Sequence, residues 1–284
     1  MRGDRPSLTA AFVAIARGVG TARDVLDPVA RDMLPWPVGP MVHAAGRGRM
    51  LRPGLRAASL GLVDHITLRM EAIDQAVRDA VAAGAGQLVL LGAGLDGRAW
   101  RMPELGDVAV FEVDHPATQA YKRARVEGRA PLAREVSFVP VDFERERLAD
   151  ALEAAGHDRT VPSVWVWEGV TMYLQRTAVV STLGQIQSRS AAGSRLALSY
   201  AVPELLPVGG DAARRAAETF FRALGEPLVG AMPPKEIASL LAGAAFHIES
   251  DTDSSDWAAR HRATAPLASL FRAERLAVAV RHGG

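Results

Sequence analysis

A glycine-rich turn in the first half of the chain is the residue pattern best suited to hold a ligand. The apolar run Gln87–Leu91 leads directly into the sequence GAGLDG, whose first two glycines are Gly92 and Gly94. Glycines let the backbone approach a ligand closely, and this spacing after a strand is typical of turns that bind nucleotide-type cofactors. Because such turns also arise for packing, the pattern alone leaves both dinucleotides and other adenosine-bearing cofactors open.

The residues after the turn argue against a dinucleotide. A dinucleotide fold needs a full helix here, with its N-terminus facing the pyrophosphate. Pro103 comes six residues after Gly97, so Arg98–Met102 can form little more than one helical turn. An NAD(P)-dependent reductase is therefore the less favoured alternative. A cofactor that carries an adenosine and a zwitterionic amino-acid tail is compatible with the turn.

Carboxylates follow the next three predicted strands. Asp114 comes 20 positions after Gly94, where a carboxylate can accept hydrogen bonds from both hydroxyls of a ribose. Asp142 ends the third strand and is followed by Phe143, a pair that suits an adenine. Glu168 ends the fourth strand, where it can meet an ammonium or a substrate group. A charge that closes so apolar a run needs a partner, because its burial without one is costly.

Some of these carboxylates also have a purely structural interpretation. Asp114 could cap the helix that Pro116 begins, and Asp142 could be an ordinary strand-end residue. The carboxyl ends of parallel strands meet at one edge of a sheet, so the joint pattern indicates a site more strongly than any member of it. We call this edge, with Gly92, Asp114, Asp142 and Glu168, the rim.

Alternating strand and helix patterns must position the rim. A helix that begins at about Gly61 carries one apolar stripe with spacings of three and four. The predicted strands are Gln87–Leu91, Val108–Val113, Val136–Val141, Ser163–Trp167 and Arg195–Tyr200, followed by Phe246–Ser250 and Leu276–Val280. The last two are joined by a polar loop without room for a crossover helix, so they are expected to be antiparallel. The pattern predicts an α/β fold, one doubly wound sheet with five parallel strands and a terminal antiparallel pair.

The other segments are expected to cover the rim. Residues 1–60 contain short helical patterns broken by Pro and Gly, and predict an N-terminal helical cap. Residues 61–284 are predicted to form the cofactor-binding domain. Within it, the insertion 201–234 is expected to contribute to the cap through a helix over Asp211–Leu224.

Composition excludes several classes of function. Hydrophobic residues make up 49% of the 284 residues, enough for a sizeable core,. Lys and Arg total 33 against 32 Asp and Glu, which argues against a nucleic-acid binder built on bulk charge. There is no Cys and no pair of His at i and i+4, so no metal site is predicted. Apolar runs are too short for a transmembrane helix, and Asp4 and Arg17 do not fit a signal peptide around Leu8–Ala16. We expect a cytoplasmic protein without nucleic-acid or membrane partners.

The motifs together resemble a known family. The runs GAGLDGRAWRMP, EVDHP, VDFE and WEGVTMYL are similar to the leucine carboxyl methyltransferase family, and more closely to its bacterial branch of S-adenosylmethionine-dependent O-methyltransferases. The segment DHITLR, which ends at Arg69, resembles the family's arginine-containing helix. The resemblance covers about residues 60–200. It implies a class I methyltransferase (Rossmann-like) fold with S-adenosyl-L-methionine as the cofactor.

The resemblance also implies roles for the rim residues that hold the nucleoside. Gly92 and Gly94 would lie under the methionine part of the cofactor, and Asp114 would bind the ribose. Asp142 and Phe143 would frame the adenine.

At the amino-acid tail of the cofactor, the resemblance implies that Glu168 approaches the amino group and that Arg69 pairs with the carboxylate. Helical periodicity alone predicts only a surface ion pair for Arg69, which lies beside the apolar stripe. The family's N-terminal basic residue could be either Arg17 or Arg23. Gly97 departs from the family pattern, in which Thr is usual at this position.

The methyl acceptor is expected to be a carboxylate. A carboxylate is ionised at neutral pH, with a pKa of about 4, and therefore needs no general base. The sequence offers only weak base candidates, Tyr173, Tyr200 and His115. We expect the carboxylate of a small metabolite, or else of a peptide, with Arg69 and Tyr173 as the catalytic residues that face it. A non-catalytic relative that binds the cofactor is a further alternative, and the pattern does not indicate an oligomeric state.

Overall fold

A seven-stranded sheet forms the centre of the computed structural model, which describes residues 8–19, 27–47, 59, 61–142, 146–203, 229–260 and 271–283. The strands are β1 (Gln87–Leu91), β2 (Ala109–Asp114), β3 (Glu135–Pro140), β4 (Ser163–Trp167), β5 (Arg195–Ala201), β6 (Phe246–Asp253) and β7 (Glu274–Arg281). Their order in the sheet is β3-β2-β1-β4-β5-β7-β6. The first five are parallel, and β7 runs antiparallel to β5 and β6. The predicted α/β architecture is confirmed.

Strand bounds follow the sequence pattern closely in the middle of the sheet and less closely at its ends. The bounds of β1 and β4 are as predicted, those of β2 and β3 differ by one residue, and the two terminal strands are longer than expected. The expectation of a plain polar loop between the last two strands is wrong, because a helix over Ser254–Arg260 follows β6. The antiparallel pairing is nevertheless confirmed.

Helices cover both faces of the sheet. They are α1 (Leu8–Val19), α2 (Pro28–Asp32), α3 (Val38–Arg47), α4 (Leu62–Ala82), α5 (Arg98–Arg101), α6 (Pro116–Val126), α7 (Leu148–Ala154), α8 (Arg176–Ser188), α9 (Pro234–Gly243) and α10 (Ser254–Arg260). Single 3₁₀ turns occupy Pro103–Leu105 and Thr171–Tyr173. The helix predicted over Asp211–Leu224 lies outside the described residues.

Helix α4 packs the stripe predicted from its spacing against the sheet. Ile73 and Val77 are fully buried, and Ile66 is 3% exposed. They share one core cluster with Val164 and Val166 of β4. Burial of each such side chain stabilises the fold by about 1.5–3 kcal/mol relative to leaving it exposed.

The opposite face of β4 packs against α8. Trp165 and Trp167 are buried in a second core cluster with Val179 and Ile186. Successive side chains of a strand point to opposite faces, so the two tryptophans share one face, as predicted. The residue after Trp167 therefore continues on the face that α4 covers.

The described N-terminal helices pack into the same core as α4. Ala16 of α1 and Ala30 and Met33 of the α2 region are buried in one cluster with Ile73. The division of the chain at residue 60 stays a prediction. No helix within the described ranges is both long and apolar enough to cross a membrane.

Candidate cofactor-binding site

The glycine turn after β1 has a backbone that requires glycine. Gly92 and Gly94 have φ values of +69° and +50°, a region that residues with a Cβ rarely adopt. A Cβ on Gly92 would lie 2.6 Å from Cγ2 of Val170. The backbone N–H groups of Gly92 and Ala93 donate to the carbonyl of Val113 at 2.9 and 3.0 Å, which ties the turn to β2.

Asp114, at the end of β2, holds this turn directly. Its Oδ2 accepts a hydrogen bond from the backbone N of Gly94 at 2.5 Å, and its Oδ1 accepts one from the backbone N of His115 at 2.6 Å. Burial raises the pKa of Asp114 even though both N–H donors lower it. The alternative in which Asp114 only caps the next helix is wrong, because the cap is His115, whose Nδ1 accepts from Ala117 N at 3.2 Å.

Asp142 lies beside Asp114 at the same edge of the sheet. The backbone N of Val141 donates to the carbonyl of Asp114 at 2.9 Å, so the segment after β3 is fixed to the end of β2. The backbone N of Asp142 donates to Glu146 Oε2 at 2.8 Å, and the residue is half-buried. Phe143 lies outside the described residues, so its place near an adenine stays a prediction.

Glu168, which follows β4, is surrounded by three arginines from distant parts of the chain. Its Oε1 accepts from Arg17 Nη2 at 2.7 Å and from Arg69 Nε at 3.1 Å, and its Oε2 accepts from Arg98 Nη1 at 3.2 Å. Its side chain is 8% exposed. Burial raises the pKa of Glu168, but Arg17, Arg69 and Arg98 together outweigh burial and hold the pKa well below its usual range. The carboxylate is therefore ionised.

Asp96, within the glycine turn, shares two of these arginines. Its Oδ1 accepts from the backbone N of Arg98 at 2.8 Å, and its Oδ2 pairs with the Arg98 guanidinium and with Arg17 Nη1, the latter at 3.3 Å. Burial raises the pKa of Asp96, but Arg98, Arg17 and Lys122 outweigh burial and lower the pKa to about 2. Arg98 thus joins the turn to the carboxylate that follows β4.

Two further carboxylates extend these ion pairs to the helices. Asp74 of α4 accepts from Arg98 Nε at 2.7 Å and from Arg101 Nη1 at 2.6 Å. Asp27 accepts from Arg101 Nε at 3.1 Å. Both carboxylates are buried, with exposed fractions of 1% and 0%.

Glu274, the first residue of β7, holds the other side of Arg69. Its Oε1 accepts from Arg69 Nη1 at 2.5 Å, and its Oε2 lies 2.6 Å from His65 Nε2. Burial raises the pKa of Glu274, but Arg69 and His65 outweigh burial and lower the pKa to about 2. We call the connected set the arginine cluster; it consists of Arg17, Arg69, Arg98, Arg101, Asp27, Asp74, Asp96, Glu168 and Glu274.

The cluster corrects one expectation and adds residues that the sequence did not indicate. The surface ion pair that periodicity predicts for Arg69 is wrong, because its side chain is 6% exposed and bonded on two sides. Of the two candidates for the N-terminal basic residue, Arg17 reaches Glu168, and Arg23 lies outside the described residues. Arg98 comes two residues after Asp96 in the glycine motif. This pairing of opposite charges is the sequence feature that could have indicated its role.

Lys122 of α6 fixes the glycine turn from a further direction. Its Nζ donates to the carbonyl of Asp96 at 2.7 Å and pairs with Glu112 Oε2 at 2.6 Å. Burial raises the pKa of Glu112 to about 7, although Lys122 lowers it. Neither side chain was predicted to contribute to the site.

The residues at the rim fit a cofactor with a zwitterionic tail. Arg17 Nε and Arg98 Nη2 are buried N–H donors without a hydrogen-bond partner among the described residues. A buried donor without a partner is costly, and a carboxylate is the kind of group that would satisfy such a donor. The carboxylate of Glu168 provides the complementary acceptor for an ammonium. Tyr173, in the 3₁₀ turn after Glu168, is half-buried.

The segment that packs on position 97 explains why a glycine is found there. A Cβ at this position would overlap the carboxylate of Asp27. Asp27 cannot move cheaply, because it also accepts from Ala30 N at 2.9 Å and from Arg101 Nε. The family's usual Thr is therefore incompatible with Asp27 in this chain.

Replacing Gly97 with Thr is expected to lower the free energy of unfolding by about 1–3 kcal/mol, because the added atoms overpack a buried site. Equilibrium urea unfolding measures the change. Gly184→Ala is the matched control, since a Cβ there meets nothing within 4 Å on helix α8, and it should leave stability unchanged or raise it. A Gly97→Thr variant as stable as the parent would contradict this account of the Asp27 contact.

Across the ranges that the structure describes, no group of three or more His, Asp or Glu side chains is arranged to hold a metal ion.

Comparison with known proteins decides the family. The sequence profile of the leucine carboxyl methyltransferase family matches residues 10–187, more than half of the chain. The chain belongs to the leucine carboxyl methyltransferase family.

Individual relatives agree with this assignment. The chain is 38% identical over 221 residues to a protein of Frankia alni named "Putative S-adenosyl-L-methionine-dependent methyltransferase", with 75% of each chain covered. A protein of the same name from Mycolicibacterium paratuberculosis is 30% identical over 266 residues, covering 89% of this chain and 80% of the relative. The crystal structure of a "putative methyltransferase" from Thermobifida fusca aligns with a TM-score of 0.61 at 18% identity, covering 98% and 96% of the two chains. At that identity the likeness shows the fold alone.

In this leucine carboxyl methyltransferase family member, the structure brings Gly92, Gly94, Asp114 and Asp142 to one edge of the sheet. Glu168 lies at the same edge and is joined to Arg69. The individual contacts of these residues with a cofactor stay predictions.

Proposed function

We propose that this chain is an S-adenosylmethionine-dependent O-methyltransferase that methylates the carboxylate of a small metabolite. The observation that carries the proposal is the buried arginine cluster around Glu168, which adjoins the glycine turn through Arg98. Glu168 follows β4 and Glu274 begins β7, on one side of β1 in the sheet order, and we assign the nucleoside of the donor to the other side, at β2 and β3. Membership of the leucine carboxyl methyltransferase family supports methyl transfer and its donor.

Different residues of the rim and of the arginine cluster bind different parts of the donor. We assign Asp114 to the ribose hydroxyls, and its bond to Gly94 N holds the turn that would lie under the methionine part. Arg17, Arg69 and Arg98 provide guanidinium donors for a carboxylate, and Glu168 provides an acceptor for an ammonium. Bidentate guanidinium–carboxylate contacts give both energy and orientation.

When bound, the cofactor would supply a methyl group on a sulfonium for in-line transfer to an acceptor oxygen. The protein has to align the acceptor and exclude water. An acceptor carboxylate is already ionised at neutral pH, so no residue has to remove a proton. We assign Arg69 and Tyr173 to the acceptor side, because Tyr173 follows Glu168 closely in the chain and Arg69 bridges Glu168 and β7.

A dinucleotide is not favoured at this rim. Helix α5 after the turn has only four residues, Arg98–Arg101, and Pro103 begins a 3₁₀ turn immediately afterwards. A non-catalytic relative would bind the donor but release no S-adenosylhomocysteine with any acceptor. With a peptide acceptor, the methylated group would be the C-terminal carboxylate of a protein and not the carboxylate of a small acid.

The test is a set of small carboxylic acids and a C-terminal leucine peptide, with S-adenosylhomocysteine release as the readout. We expect turnover of at least one small acid. Arg69→Ala is expected to weaken cofactor or acceptor binding about 10-fold or more, since it removes hydrogen bonds to a charged group. Arg134→Ala is the control, because Arg134 is an exposed arginine whose side chain pairs with its neighbour Glu135 and donates to the carbonyl of Asp107. If no acid is methylated, the proposed acceptor class is wrong, and if Arg69→Ala weakens neither binding step, its assigned role is wrong.

A further inference from the structure

A buried ion pair lies beside the glycine turn, between α6 and the sheet. Lys122 of α6 and Glu112 of β2 are 1% and 0% exposed, and Lys122 Nζ lies 2.6 Å from Glu112 Oε2. Lysine and glutamate are almost never fully buried unless they are paired. The pair is therefore a feature that the fold has to maintain, and its role requires an explanation.

Lys122 extends from this pair to the backbone of the turn. Its Nζ donates to the carbonyl of Asp96 at 2.7 Å, and Asp96 comes two residues after Gly94. The same nitrogen lies 5.3 Å from the centroid of the Trp100 ring, whose side chain is also buried. One amino group thus connects α6 and β2 to the segment that leads from the glycine turn into α5.

The residue that Lys122 holds also orients two arginines of the arginine cluster. The Asp96 carboxylate accepts from the backbone N of Arg98 at 2.8 Å and from Arg17 Nη1 at 3.3 Å. Arg17 Nε and Arg98 Nη2 are the buried donors that have no partner among the described residues. A displacement of Asp96 would therefore move the turn and both of these donors together.

Stability alone does not account for the pair. Replacing a buried ion pair with apolar residues of similar volume is often neutral or stabilising. Burial raises the pKa of Glu112 from 4.5 to about 7, although Lys122 lowers it. Because the folded pKa is the higher one, this group disfavours the folded state increasingly as the pH rises from about 4.5 to 7. Its Oε1 is buried without a hydrogen-bond partner in the part of the chain that the structure describes.

We propose that Lys122 is a positioning residue for the methyl donor and that Glu112 anchors it. The pair holds the carbonyl of Asp96, and with it the glycine turn, in the conformation that binds the donor. Both side chains act through the backbone of the turn. The inference rests on the donor-binding part of the proposed function and deepens it, but it does not depend on the identity of the acceptor.

Lys122→Met tests this positioning, and Arg189→Met is its matched control. Methionine keeps the unbranched stem of the lysine but donates no hydrogen bond. Arg189 is likewise buried, pairs with Glu153 and donates to the carbonyl of His157, but at the opposite edge of the sheet. We expect Lys122→Met to weaken binding of S-adenosylhomocysteine about 10-fold or more in calorimetry, the effect of one hydrogen bond from a charged group. Arg189→Met should leave the affinity unchanged.

The double variant Glu112→Leu/Lys122→Met separates positioning from a merely structural role. It removes both charges, so no buried carboxylate is left without its partner. We expect the double variant to be more stable to urea than Lys122→Met, while its affinity for S-adenosylhomocysteine stays about 10-fold or more below that of the parent. A folded double variant that binds as tightly as the parent would overturn the inference.

The pH dependence of donor affinity gives a second readout. The charged side chains with the largest effect on Glu112 lie on α6, in the turn and at the end of β2; they are Lys122, Asp96 and Asp114. Asp96 is paired in turn with Arg17 and Arg98. Protonation of Glu112 removes the charge opposite Lys122, so the parent's affinity for S-adenosylhomocysteine should fall as the pH falls through about 7.

Glu112→Gln is the comparison for this profile, because its side chain cannot ionise and every other titrating group is unchanged. The affinity of the variant should depend less on pH between about pH 6 and 8 than that of the parent. Identical profiles for the two proteins would contradict the role of Glu112. A parent that does not bind S-adenosylhomocysteine overturns the proposed function itself, whereas a parent and a Lys122→Met variant that bind equally tightly overturn only the positioning.

Discussion

Replacing Arg98 with methionine is expected to lower the free energy of unfolding by about 3–5 kcal/mol, as for other buried ion pairs that lose one partner. The guanidinium is completely buried and bonds Asp74, Asp96 and Glu168. Methionine replaces only the unbranched stem of the arginine and carries no charge, so three buried carboxylates lose a common counter-ion. Equilibrium urea unfolding, followed by circular dichroism, measures the loss.

Arg176→Met is the control for this substitution. Arg176 is 62% exposed and pairs with Glu236, and such surface pairs contribute about 0–1 kcal/mol. If the Arg98 and Arg176 variants unfold at the same urea concentration, the cluster does not stabilise the fold as described.

Acid titration gives a second signature of the same change. Arg98, Arg17 and Lys122 outweigh burial and hold the pKa of Asp96 at about 2, below the ordinary value near 4. A carboxyl group whose pKa is lowered by folding stabilises the protein above its unfolded pKa, and the stabilisation is lost as pH falls through the folded pKa. The parent should therefore lose stability between about pH 4 and 2, and Arg98→Met should show a shallower loss.

Asp114→Asn is expected to weaken binding of S-adenosylhomocysteine about 100-fold. The substitution keeps the size of the side chain but removes the charge that accepts from Gly94 N and would accept from the ribose. Each hydrogen bond to a charged group contributes about 1.5–3 kcal/mol, and about 1.4 kcal/mol corresponds to tenfold in affinity. Isothermal titration calorimetry with purified protein measures the constant.

The control for Asp114 is Asp158→Asn. Asp158 is a solvent-exposed aspartate that accepts from the backbone and side chain of Thr160, at the opposite end of the sheet from the rim. Its substitution should leave affinity unchanged. An Asp114→Asn protein that is folded and binds as tightly as the parent would remove Asp114 from the site.

The sequence predicted the sheet and the rim because both depend on local patterns. Continuous apolar runs predicted β1 and β4 to the residue, and each rim residue lies within two residues of the end of a strand. Parallel strands then bring Gly92, Asp114, Asp142 and Glu168 to one edge without further information. The final two strands were harder to place, because polar residues such as Asp251 and Asp253 extend β6 beyond its apolar run.

The arginine cluster could not be predicted, because its members are distant in the chain. Arg17 is separated from Glu168 by 151 positions, and Arg69 from Glu274 by 205. Periodicity places Arg69 at the border of an apolar stripe, where solvent is the usual neighbour. In the folded protein, α1, β4 and β7 lie around Arg69, so its side chain is buried. His65 could not be predicted for the same reason, because its aromatic neighbours Trp257 and Phe271 are distant from it in the chain.

Titration of purified, ligand-free protein with S-adenosylhomocysteine, and with NADPH in parallel, tests the central claim most directly. The account predicts saturable binding of S-adenosylhomocysteine at one site per chain and no binding of NADPH. Binding of NADPH alone, or of neither compound, would contradict it.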